Sequence, residues 1–313
     1  MKLLDYSLVL PTKCTGFSLF PFACVHADNE GHSASKWREC LDEIKSTPNA
    51  LAIGLGDYMD FLRSHARQYL KHYPHDENSF NRLHDWRRKA ADEFCEKYLD
   101  PIRDKLIGLS LGNHHHEFEA GYNDTMYMCE QLKVPYLGKG FFVRLNVSQP
   151  NRTTHASLII LGHHGEGIGG GATMGGDVNA MENKSKAWDA DILLLSHNHK
   201  KHGFHTAPVS VPRKGKLKLI EKPKAFIRAG CFMRGYVEGC VTYAENKGLM
   251  NPTAIGHVRL DVKFRQDYDS EAYHESKRRG AANPSRVGPL YPVFKVTYGW
   301  AFLCAADLLN FAL

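Results

Sequence analysis

The chain has 313 residues, 43% hydrophobic and 24% charged, with a formal net charge of +6. That composition supports a sizeable core in one large domain, or at most two, and argues against disorder. The mild basic excess is compatible with a polyanionic partner without requiring one. The eight cysteines are scattered with no CxxC pair, so reduced, mostly buried thiols in a cytoplasmic protein are expected.

The opening MKLLDYSLVLP is broken by Asp5 and Pro11 and shows no cleavage pattern, so no secretory leader is expected. FSLFPFACV (17–25) reads as a buried strand, and SKWRECLDEI follows with Trp37, Leu41 and Ile44 at helical spacing. NALAIGL (49–55) is the next strand. Ser79 is then the expected N-cap of a helix with Phe80, Leu83, Trp86, Ala90, Phe94 and Tyr98 on one face, ended by Pro101. KLIGLSL (105–111), HASLIILG (155–162) and DILLLS (191–196) are three more strands. Between the last two, GEGIGGGATMGG (165–176) is a loop without the Gly-Lys-Ser/Thr ending of a phosphate loop. A flexible lid and close backbone packing both suit it. After His205 the pattern turns to β, with AFIRAG, EGCVTY and IGHVRLDVKF. ESKRRGAANPSRVGP (275–289) reads as a basic surface loop. VTYGWAFLCAADLLNFAL (296–313), preceded by Lys295 and interrupted by Asp307, reads as a packed helix rather than a membrane span. Strands alternating with helices argue for an α/β sandwich.

Five of these strands end in clusters of Asp, Asn and His: CVHADNEGH, GDYMD, GNHHHE, GHHGEG and SHNHKKH. Loops beyond the carboxyl ends of strands in an open α/β sheet converge on one crevice. Imidazole and carboxylate are the donors that borderline divalent metals take. A single His-rich loop is more often a solvated surface; five in sequence make that reading hard to sustain.

In order and spacing, Cys24-Val25-His26, Gly56-Asp57-Tyr58-Met59-Asp60, Gly112-Asn113-His114, His163 and Ser196-His197-Asn198-His199 resemble the motifs of the calcineurin-like metallophosphoesterases, over about residues 17–205. The insert after the second motif and VPYLGKGFFVRL after the third look most like phage and prophage members. The resemblance implies a four-layer αββα sandwich of two mixed sheets flanked by helices. It implies a domain over 1–270 with a helical insert at about 61–104, and an extension at 271–313 packed on it. It also implies two divalent cations (Mn, Zn, Fe or Ni), bridged by Asp57. His26 and His199 would complete one site, with Cys24 at the first motif position. Asn113, His163 and His197 would complete the other, with His164 an alternative to His163. His114 would touch the substrate phosphate and protonate the leaving oxygen. Glu117 is the nearest candidate to orient it, since His115 and His116 displace the acid that the family places next to that histidine.

Two departures stand out. Cys24 replaces an expected Asp, so it is a softer ligand, or Asp28 substitutes for it, or that site is weak. Ser196 replaces a Gly. Asp60 is expected to accept a hydrogen bond behind the ligands or to cap the next helix. The reaction implied is attack on phosphorus by a hydroxide activated between two metals, with no organic cofactor. The segments RSHARQYLKHYPH (63–75) and VPRKGKLKLIEKPK (211–224) mix basic residues with apolar ones, the first with two tyrosines. Such segments are more often a solvated face, but the mix also suits a polyanion with bases to stack, and a phosphodiester of nucleic acid or nucleotides is the expected substrate. Small phosphomonoesters, or a degenerate fold serving as a scaffold, are the alternatives. No membrane partner is expected.

Overall fold

The computed structural model describes residues 1–12, 14–60, 77–150, 156–169, 173–211, 217, 219–246, 248, 250–266 and 290–298. Two mixed sheets carry the fold. The first runs β1 (Lys2–Val9), β7 (Gly140–Ser148), β8 (Ala156–His163), β9 (Ile192–Leu195), β13 (Lys224–Ala229), β10 (Lys201–Thr206). The second runs β15 (Leu290–Tyr298), β14 (Val258–Gln266), β2 (Gly16–Phe22), β3 (Ala50–Gly54), β4 (Leu106–Leu109). Small hairpins join β5 (Glu117–Glu119) to β6 (Tyr122–Asn123) and β11 (Val209–Ser210) to β12 (Ile220–Glu221).

The inner faces meet in one core, where Leu19, Leu51 and Ile53 of the second sheet pack with Val143, Ile160, Ile192 and Ile227 of the first. Outside the second sheet lie helices α1 (Ala34–Ser46), α2 (Glu77–Phe94) and α3 (Asp124–Leu132), sealed by Phe22, Trp37, Phe94 and Met128. Outside the first lies α4 (Met174–Ser185), where Met181 packs on Leu161, Leu193 and Phe226. The four αββα layers are those expected. The inner strands are continuous apolar runs because both faces are covered.

β2, β3 and β4 are mutually parallel, as are β8, β9 and β13. Their carboxyl ends therefore lie at one edge of each sheet, which brings the five polar clusters together.

Several elements differ from the sequence reading. Ser79 lies inside α2 rather than capping it, and Trp86 is 52% exposed while Arg87 is fully buried. The buried face is His84, Arg87, Ala91, Phe94, Cys95 and Tyr98, one step round from the apolar stripe. Past Phe94 the helix continues as a π turn (Cys95–Leu99) and a 3-10 turn (Asp100–Lys105) that carries Pro101 at its start. EGCVTY forms only a Val237–Cys240 bridge leading to α5 (Tyr243–Asn246). The opening apolar segment is edge strand β1, parallel to β7. Residues 290–298 enter the second sheet rather than lying over it. The expected basic segment 63–75, the loop 275–289 and the tip of the 211–224 hairpin lie outside the described residues; of the helix expected over 296–313, residues 296–298 belong to strand β15 instead and the rest lie outside the described residues. Among the described residues, no helix is long and apolar enough to cross a membrane.

Candidate metal centre

The loop after β2 runs beside the loop after β3: Cys24 N–H donates to the Gly56 carbonyl (3.0 Å) and Val25 N–H to that of Asp57 (2.8 Å). The loop after β4 joins them through Ser110 N–H to the Gly54 carbonyl (2.9 Å), and Ser196 N–H reaches the His164 carbonyl (2.9 Å). Two glycines permit this crowding. Gly56 sits at φ +98°, and a Cβ on Gly112 would lie 2.0 Å from Asp57 Oδ1.

Seven described non-glycine residues have positive φ, and five of them are Cys24, His26, Asp57, His197 and His199. That conformation costs an L-residue on the order of 1–2 kcal/mol. Strain of this kind gathers where surrounding structure imposes it for a site.

His164 is the pivot. Its Nδ1 faces the Leu55 carbonyl at 2.6 Å, the arrangement in which Nδ1–H donates. Nε2 lies 2.8 Å from Asn113 Oδ1, 2.9 Å from Asp57 Oδ2 and 3.3 Å from His197 Nδ1. His197 Nδ1 also meets Asn113 Oδ1 at 2.9 Å. Converging electron-pair donors of this kind need either a proton or a cation between them. A histidine fixed through its other nitrogen by a backbone carbonyl is the usual form of a metal ligand.

The adjoining group is Cys24, His26 and His199. His26 is buried and neither ring nitrogen makes a hydrogen bond, Nδ1 standing 3.5 Å from Asp60. Among the described residues three overlapping groups have ligand atoms within 4.8 Å of one another: Cys24–His26–His199, Cys24–Asp57–His164 and His26–Asp60–His114. Burial pushes the Cys24 thiol well up, aided by the charges of Asp57 and Cys231. Burial works to raise Asp57, but the charge and hydrogen bond of His164, then His26 and His114, hold it well below the usual carboxylate range. His199 is pushed down to about 3 by burial and then by the charge of His26.

Two sequence expectations are corrected. His163 is the last residue of β8 and accepts from Gly165 N–H at 2.8 Å; His164, not His163, stands with Asp57, Asn113 and His197. Glu117 is exposed and lies 3.8 Å from His115. The carboxylate on His114 Nδ1 is instead that of Asp60. Asp60 is held in turn by Asn29 Nδ2 (2.6 Å) and gives its own N–H to Asp28. Asp28 thus supports Asp60 and belongs to none of the three groups. Of the three consecutive histidines, His114 is the one in a donor group with His26 and Asp60 among the described residues. The ring of His115 meets the Gly112 carbonyl (3.1 Å), and that of His116 packs edge-on against His84 and Phe118.

A supporting network was not visible in the sequence. Arg228 and Asp177, both fully buried, are paired at 2.9 Å. Arg228 Nη1 donates to the Ser196 carbonyl (2.6 Å) and Nη2 to that of Ile168 (2.6 Å). Asp177 accepts from Asn198 Nδ2 (2.8 Å) and lies 2.6 Å from His202 Nε2. The loop carrying His197 and His199 is thereby fixed to α4 and to the glycine-rich loop.

No family model and no curated protein matches the chain. Solved structures that resemble it include Vps29 of Chaetomium thermophilum (13% identity, TM-score 0.33, covering 90% of this chain and 97% of that one). A zinc complex of Entamoeba histolytica Vps29 aligns at 10% identity and TM-score 0.35, over 90% and 99%. A protein of Streptococcus pneumoniae described as a predicted phosphoesterase aligns at 12% and 0.30, over 91% and 99%. Likenesses this distant carry no argument about activity.

Proposed function

We propose that this chain is a metal-dependent phosphoesterase of the calcineurin-like kind, cutting phosphodiester bonds of nucleic acid or nucleotides. The observation that supports it most is the donor set itself: His164 Nε2 against the side-chain oxygens of Asn113 and Asp57, beside a buried His26 with no hydrogen bond. Nitrogen, oxygen and sulfur donors in one crevice suit borderline divalent cations. Cys24, His26 and His199 would hold one, and Asp57, Asn113, His164 and His197 the other. When bound, the cations supply Lewis acidity that makes water acidic near neutral pH and offsets phosphoryl charge.

The chain's own residues do the rest. Asp57 is fixed by the His114 backbone N–H on Oδ1 (2.9 Å) and by His164 on Oδ2. Asp60 fixes the His114 ring through Nδ1, so proton transfer to the leaving oxygen is assigned to Nε2. The basic, aromatic segment 63–75 follows Asp57 closely in sequence and favours a polyanion carrying bases.

The test is hydrolysis of bis- and mono-p-nitrophenyl phosphate by metal-stripped protein given Mn²⁺, Zn²⁺, Fe²⁺ or Ni²⁺ in turn. The diester is expected to turn over faster. His114→Ala is expected to lower turnover about 10²–10⁴-fold with metal content unchanged. Inactivity with every metal in a folded sample would overturn the reading in favour of a scaffold.

A further inference from the structure

Among the described residues, Cys24 belongs to both of the donor groups assigned to the two candidate cation positions. It lies within 4.8 Å of the His26 and His199 donors on one side and of the Asp57 and His164 donors on the other. The residue is fully buried and at φ +49°. Its backbone is fixed at both ends, N–H to the Gly56 carbonyl and C=O to Phe232 N–H, each at 3.0 Å. His26, buried beside it with no hydrogen bond from either ring nitrogen, is the independent sign that a cation belongs there.

We propose that Cys24 is a thiolate ligand shared by the two cation positions, which biases the centre toward the thiophilic cations Zn²⁺, Fe²⁺ and Co²⁺ over Mn²⁺ and Mg²⁺. The proposal rests on the metal-centre reading above. Sulfur is the softest donor in the set, and soft donors discriminate between these two groups of cations where carboxylate does not. Asp57, facing His164 and the His114 N–H, supplies the hard donor alongside it.

The experiment is a Co²⁺ titration of the metal-stripped full chain, followed by absorption and by metal analysis. Bound Co²⁺ shows visible ligand-field bands with any ligands, and a near-ultraviolet sulfur-to-cobalt band only with a thiolate. The band is expected to grow through both equivalents of Co²⁺. It is expected to vanish in Cys24→Ser and Cys24→Asp, with ligand-field bands retained. In Cys24→Asp, competition should shift preference toward Mn²⁺ by about tenfold or more, the size that altered coordination makes in affinity. Ligand-field bands without the sulfur band, or a sulfur band persisting in Cys24→Asp, would overturn the thiolate role while leaving the metal reading standing. Growth that stops at the first equivalent, with two bound, would overturn the sharing. Failure to take up Co²⁺ at all would overturn the metal reading itself, and this proposal with it.

Discussion

At the scale of single residues, His163 and His164 differ in which side of the chain each ring takes. Adjacent residues at a strand end point opposite ways. His163 leaves the cluster and accepts from Gly165, while His164 enters it with its tautomer set by Leu55. His164→Ala is therefore expected to lower metal affinity by at least about tenfold, the loss seen even when only a supporting partner is removed. His163→Ala should leave affinity within experimental error, and calorimetric Zn²⁺ titration of both variants checks it. Nothing in the residue pattern separates the two, because both histidines follow the same apolar run. That Asp57, Asn113, His26 and His199 gather in one place was legible, because each follows a strand whose carboxyl end lies at that edge. Asp60 was not legible as the partner of His114: proximity along the chain favoured Glu117, and only the folded path of the loop after β3 brings Asp60 across.

At the scale of elements, the loop of β9 to β10 is held from behind. Arg228 grips the Ser196 carbonyl, and Asp177 grips Asn198, the residue between His197 and His199. Both histidines are at positive φ, so the loop needs that grip to keep its shape. Asn198→Asp removes the donor and sets two carboxylates against each other. Zn²⁺ affinity should fall about 10–100-fold, with the melting temperature of the metal-free protein nearly unchanged because Asn198 is partly exposed. Equal affinity in variant and wild type would show that the network only stabilises the fold. Asp177→Asn, by contrast, breaks a fully buried pair and should cost about 3–5 kcal/mol of stability. Apolar periodicity could not reveal such elements. It placed Trp86 on the buried face of α2, whereas the helix buries Arg87, a residue no hydrophobic stripe selects.

At the scale of the whole molecule, the two-sheet architecture was legible from strands alternating with helices, and the edge strand β1 was not, since its side chains are mostly exposed. The architecture concentrates titratable groups at one edge, and this has a consequence for stability. His199 is pushed down to about 3 from an ordinary 6.5, and His197 is also lowered, by burial and then by His164. Between those values the unfolded chain binds protons that the folded chain refuses. Stability of the metal-free protein should therefore fall as pH drops from about 6.5 toward 3, by about 1 kcal/mol per unit. Asp57 and Asp60, held below the usual carboxylate range, stabilise above 3.8 and lose that contribution only at lower pH. Urea denaturation at pH 7 and pH 5 in chelator checks it; equal stability at the two pH values would contradict the assignment. Added Zn²⁺ should raise stability at pH 7, since a ligand that binds only the folded state stabilises it.

The proposed centre requires that five strand-end loops hold two cations at one place. Anomalous diffraction from a crystal soaked in Zn²⁺ or Mn²⁺ tests this most directly, because it locates and counts the ions. Two peaks about 3.5–4 Å apart are predicted, one among Cys24, His26 and His199 and the other among Asp57, Asn113, His164 and His197. No peak in this crevice, or peaks coordinated by His163 or Glu117 in place of these residues, would contradict it.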